Sequence, residues 1–281
     1  MKNVDVQEIR EKIREACGRM AVVYHPDILD ALKQSREKET EERSVTAMDM
    51  LLQNAEIAAQ ENIPICQDTG MVIVWAEIGQ DVHLVNGDFE EAVNAGVAEG
   101  YTQNYLRASV VKDPLLHREN TKNNTPCVIY ARIVPGDSVK ISLMAKGFGS
   151  ENMSRIAMLK PAQGVQGVKD FVLETIKLAG PNACPPMIAG VGIGGTFDSC
   201  AAMAKHALLR PLNVGNPDPE YKALEDTLLQ EANALKVGPM GLHGNTTALK
   251  IQIETAPTHI AGMPCAVNIC CHACRHEEFT L

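Results

Sequence analysis

Residues 182–209 read NACPPMIAGVGIGGTFDSCAAMAKHALL, and this run sets the fold class. Ile188 to Ile193 is a short apolar stretch bounded by turn residues, the pattern of a buried strand. Gly194-Gly195 ends it, and a helix is predicted from about Asp198 to Leu209. Ahead of the strand, a helix from Val165 to Ala179 stops at Gly180-Pro181, a C-terminal signal. The loop Asn182-Ala183-Cys184-Pro185-Pro186 joins the two.

Working outward, the C-terminal side adds a helix over Asp218 to Leu235 and strands at Ala248–Glu254 and Ala266–Ile269. On the N-terminal side, Cys127–Tyr130 and Val139–Met144 read as strands. Pro135-Gly136-Asp137 lies between them, so a hairpin is predicted. Asp88 with Glu91 caps a helix reaching about Tyr105. Met71 to Trp75 reads as a buried strand directly after Cys66-Gln67-Asp68-Thr69-Gly70. The first sixty residues read as three helices. Asp5 and Glu8 cap the first, with Val6, Ile9, Ile13 and Cys17 on one face. Pro26 starts the second, and Val45, Met48, Leu52 and Ala55 stripe the third. The charged run from Lys33 to Arg43 reads as a solvated face or loop. Helices interspersed with strands predict an α+β fold, with helices around a mixed or antiparallel sheet and a helical N-terminal region. No linker-like stretch divides the chain, so a single domain over 1–281 is expected.

Composition narrows the function. The chain has 281 residues, enough for a core without disulfide staples. Its net charge of −9 argues against nucleic acid, whose binding rests on Lys and Arg meeting phosphates. No run approaches the roughly 20 apolar residues of a membrane span. The polar N-terminus lacks the apolar core of a signal peptide. A cytoplasmic protein is expected, in which the nine cysteines stay reduced.

Those cysteines admit metal binding, catalysis or plain burial. Cys66 and Cys184 sit in Pro-containing loops beside apolar strands. Cys265, Cys270, Cys271 and Cys274 crowd the C-terminus with His272 and His276. A Cys271-x-x-Cys274 pair with nearby His suggests zinc, but a closed zinc site usually needs a second local pair. Three ligands from distant segments could instead hold an iron–sulfur cluster with one iron open. Spacing alone does not choose which three. The stretch from Gly190 to Thr196 fits no nucleotide fingerprint. Its glycines serve either an anion at the next helix start or close backbone packing. The loop from Lys146 to Asn152 carries the same two readings. Asp68, Arg107 and His259 are further candidates, for proton transfer or carboxylate binding.

Taken together, several segments resemble the class I, iron–sulfur fumarate hydratase family, specifically its α subunit. They are ICQDTG (65–70), NYLRASVVKDPL (104–115), NTPCVIYARIVPGD (124–137), AKGFGSENMSR (146–155), LAGPNACPPMIAGVGIGGTFD (178–198), LLRPLN (208–213) and THIAGMPCAVNICCHACRH (258–276). The resemblance implies a 4Fe–4S cluster on Cys66, Cys184 and Cys271. It implies a small dicarboxylate bound by Gln67, Asp68, Arg107 and Gly149, with Asp68 and His259 at the reacting hydroxyl. The implied reaction is reversible hydration of fumarate to malate. The implied partner is a separate β subunit carrying the remaining catalytic groups, in a dimer of αβ units. L-tartrate dehydratase is the near alternative within the family. A zinc- or cluster-binding structural subunit is the alternative from another class. Phe148, Cys270, Cys274 and His243 depart from the family pattern without removing a ligand.

Overall fold

The computed structural model describes residues 1–281. In chain order the elements are β1 (Lys2–Asp5), α1 (Val6–Val22), α2 (Pro26–Lys38), α3 (Glu42–Glu61), β2 (Met71–Gly79), β3 (Val82–Val85), α4 (Phe89–Gln103), β4 (Val128–Val134), β5 (Val139–Lys146), α5 (Phe148–Glu151), β6 (Arg155–Leu159), α6 (Gly164–Ala179), β7 (Met187–Gly195), α7 (Phe197–His206), α8 (Pro219–Ala234), β8 (Ala248–Thr258), β9 (Met263–Cys270) and β10 (Arg275–Thr280). The fold is α+β with mixed sheets, as expected. No helix is long and apolar enough to cross a membrane. Two compact units form, each from several stretches of chain: residues 1–25, 55–148 and 275–281, and residues 26–54 and 149–274.

The first unit is built on a four-stranded sheet in the order β10-β5-β2-β4. The predicted hairpin does not form. β2 lies between β5 and β4, antiparallel to the one and parallel to the other. The reason is burial: Val72, Ile73, Val74 and Ala76 of β2 are buried, whereas Ala131, Arg132 and Ile133 of β4 are exposed. The buried strand takes the interior of the sheet and the exposed one becomes an edge. α1 and α4 pack together over this sheet, with Ile9, Ile13, Cys17, Val93, Val97 and Tyr101 in the core. Their approach is close. A Cβ at Gly96 would stand 2.6 Å from the Arg10 carbonyl, and one at Gly100 2.7 Å from the Cys17 Cβ. Asp5 caps α1 by accepting from the Gln7 amide at 2.8 Å.

The second unit carries a sheet in the order β6-β9-β7-β8. α6 and α8 bury Val172, Ile176 and Leu228 against one face, with Ala189 and Val191 of β7. α7 lies against the glycines of β7. A Cβ at Gly190 would stand 2.0 Å from the Ala204 carbonyl, and one at Gly192 2.3 Å from that of Cys200. Close backbone packing is therefore what these glycines serve. The charged run at 33–43 is not wholly solvated. Glu39 is buried and accepts from the amides of Asn245 (2.8 Å) and Thr246 (2.6 Å). In α3, Ser44 and Leu51 are buried where Val45 and Leu52 were expected, and the latter two are half-buried.

Candidate functional site

In the first unit the loop from Cys66 to Gly70 links α3 to β2 and is fastened from beneath. Thr69 is 3 % exposed, and its hydroxyl accepts from the Arg107 amide (3.0 Å) and donates to the Arg107 carbonyl (3.2 Å). The buried Tyr101 hydroxyl of α4 donates to the Thr69 carbonyl at 2.7 Å. Buried Asn124 donates to the Gly70 carbonyl at 3.0 Å and accepts from the Ser109 amide at 2.8 Å. Gly70 has φ +84°, and a Cβ there would stand 2.9 Å from the backbone of Ala145 and Lys146. Only glycine fits that turn.

These ties leave the preceding residues outward. Cys66 and Asp68 are half-buried and Gln67 is exposed. Asp68 is fixed by two amides, Gly70 N–H on Oδ1 (3.0 Å) and Phe148 N–H on Oδ2 (2.7 Å). The Arg107 side chain is exposed, and its backbone is held to the same loop through Thr69. The unit thus brings Cys66, Gln67, Asp68 and Arg107 to one loop clasp.

In the second unit Cys184 closes a short turn at the head of β7. Its backbone is left-handed, φ 49° and ψ 64°, and its amide donates to the Pro181 carbonyl at 3.1 Å. Ile188 pairs with Cys270, so the chain leaving β9 at Cys271 runs beside the chain entering β7. The His272 amide donates to the Cys184 carbonyl at 3.4 Å. Gly149 stands at the same loop, its Cβ position 4.0 Å from the Asn182 carbonyl. Cys184, Cys271 and Gly149 therefore gather at one end of the sheet.

His259 does not join them. It follows Thr258, which pairs with Gly195 at the far end of β7. Seven register steps separate Gly195 from Ile188, which at about 3.3 Å each is roughly 23 Å. The ring is exposed, with Nδ1 accepting from the Ala261 amide at 3.2 Å.

The environments of the nine thiols differ. Six are buried, and the three half-buried ones are Cys66, Cys184 and Cys271. Burial pushes the Cys127 and Cys265 thiols up to about 12 and the Cys200 thiol to about 11, and it raises Cys17 further. Thiols held protonated are poor metal ligands. The half-buried Cys66, Cys184 and Cys271 are better suited as donors than these four, and thiolate is the usual ligand of an iron–sulfur cluster.

Three groups were not legible in the sequence: Tyr101, Asn124 and Arg275. Each is a polar residue in a buried place, which only the packing reveals.

Similarity to known proteins places the chain. A family profile described as fumarate hydratase (Fumerase) matches residues 10–280. A Methanocaldococcus jannaschii protein provisionally named L(+)-tartrate dehydratase subunit alpha is 40 % identical over 264 residues, covering 92 % of each chain. The L(+)-tartrate dehydratase subunit alpha of Escherichia coli strain K12 is 30 % identical over 282 residues, covering all of this chain and 92 % of its own. With nearly its whole length matched, the chain belongs to the fumarate hydratase family of hydro-lyase subunits.

Proposed function

We propose that this chain is the iron–sulfur half of a two-chain cytoplasmic hydratase that interconverts fumarate and malate. The carrying observation is thiol exposure: of nine cysteines, the three that are not buried are Cys66, Cys184 and Cys271. These are the three that family resemblance assigns as ligands of a 4Fe–4S cluster. Bound there, the cluster supplies an open iron as Lewis acid for the hydroxyl that leaves or enters.

The chain's own residues do the rest. Arg107 binds one substrate carboxylate, where two parallel hydrogen bonds fix its plane. Gln67 donates to a substrate oxygen from the same loop. The Gly149 backbone, with no side chain in the way, offers an amide to the second carboxylate. Asp68, held by two amides, accepts a hydrogen bond from the reacting hydroxyl and orients it. His259 is proposed at the same hydroxyl, and a dimer of αβ units is proposed, both from the family resemblance. The relatives' designation as alpha subunits supports a β partner that carries the remaining catalytic groups.

Anaerobic reconstitution with iron and sulfide, read by absorbance and EPR, tests the ligands. Cys66→Ser, Cys184→Ser and Cys271→Ser should each lose the cluster. A colourless chain with stoichiometric zinc refutes the reading. The relatives' names favour a second substrate, L-tartrate. Assaying the αβ complex with malate and with L-tartrate decides between them.

A further inference from the structure

Arg275 opens β10 and pairs with Ala145 of β5. It is 2 % exposed and is the largest fully buried side chain of the protein. A guanidinium stays charged at any physiological pH. Buried charges are ordinarily paired and hydrogen-bonded. Here Nε and Nη1 are enclosed and have no partner. Nη2 points elsewhere: it lies 3.6 Å from where a Cβ of Gly147 would stand, and Asp68 Oδ2 lies 3.4 Å from the same point. The two groups are therefore at most 7.0 Å apart, both beside Gly147. The Tyr101 phenol, raised by burial and by Cys17, is drawn down by Arg275 and pushed up by Asp68, so all three share one small region.

We propose that Arg275 is a further binding residue of the site, its Nη2 donating to an oxygen of the dicarboxylate beside Asp68, in the space that Gly147 leaves clear. The inference rests on the dicarboxylate reading above. Three features support it. Two of the guanidinium nitrogens, Nε and Nη1, have no protein hydrogen-bond partner. Its burial strengthens each hydrogen bond it makes, because little water screens it. Asp68 already accepts two amides, so its side of the gap is fixed and the incoming oxygen meets an ordered pair. Gly147 needs no glycine backbone, since its φ is not positive, and a Cβ there would meet only ordinary contacts. Its smallness matters for the space between Arg275 and Asp68.

The test uses the reconstituted αβ complex with three variants: Arg275→Met, Arg275→Lys and Gly147→Ala. Met keeps the apolar stem and removes the charge, and Lys keeps the charge. The readouts are KM and kcat, the Kd of succinate by calorimetry, iron and sulfide content, and Tm. Losing a hydrogen bond to a charged group should raise KM and the succinate Kd about tenfold to a hundredfold in Arg275→Met. Iron and sulfide content should not change. Arg275→Lys should recover part of the loss, and Gly147→Ala should shift Kd the same way at unchanged Tm. If Arg275→Met does not fold, Gly147→Ala decides. An unchanged succinate Kd in Gly147→Ala and Arg275→Met overturns the proposal. So does cluster loss in Arg275→Met with normal binding in Gly147→Ala, which makes Arg275 a structural cation. If the unaltered complex binds no dicarboxylate, the functional reading fails instead.

Discussion

Cys17 and Cys66 are chemically identical and lie in the same unit, yet one is sealed under α4 and the other stands half-open on a loop. That difference predicts reactivity. With the cluster removed, anaerobic iodoacetamide at pH 8 should label Cys66, Cys184 and Cys271 well before Cys17, Cys127, Cys200 and Cys265, because the thiolate is the reacting form and burial suppresses it. Peptide mass spectrometry over time reads the order, and equal rates for all nine would contradict the environments described. Asp68→Asn keeps one acceptor for the Gly70 and Phe148 amides but loses the charge. It should retain cluster absorbance while kcat of the complex falls by about a hundredfold. Normal turnover would remove Asp68 from the reacting hydroxyl.

At the scale of elements, one helix–helix contact (α1 with α4) and one helix–sheet contact (α7 with β7) are set by glycines whose missing Cβ lets backbones meet. Gly192→Ala would drive a methyl to 2.3 Å from the Cys200 carbonyl. α7 would have to lift from β7, at a cost of about 2–3 kcal/mol in unfolding free energy by denaturant titration. Gly149→Ala meets nothing closer than 4.0 Å. It should leave Tm near the parent value while raising KM, if the backbone there meets substrate. Asp5→Ala removes the α1 cap and should cost about 1 kcal/mol, measurable as a lower denaturant midpoint with an unchanged m-value. The element pattern was largely readable beforehand. Caps at Asp5 and Asp88, the α6 stop at Gly180 and the buried β7 all follow local rules. Pairing was not readable, because β4 and β5 have a proper turn between them and still prefer β2.

At the scale of the molecule, the proposed two-chain reading makes this chain alone an incomplete catalyst. The purified chain, loaded with its cluster, should show little hydration of fumarate at 240 nm, and adding the β partner should restore it. Substantial turnover by the chain alone would reject the two-chain reading. Cluster loading should also raise the Tm of the chain, since a ligand that binds only the folded state stabilises it by mass action.

The sequence by itself determined the α+β class, most helix boundaries and the family, because caps, periodicity and contiguous motifs are local signals. Through that resemblance it also named Cys66, Cys184 and Cys271 among nine thiols. Tertiary structure alone decided which thiols are buried, which strand is central and where His259 stands, because these depend on packing between residues far apart in the chain. Arg275 belongs to the second group. As a letter it is an ordinary basic residue. Its meaning comes from being enclosed with two guanidinium nitrogens that no neighbour satisfies.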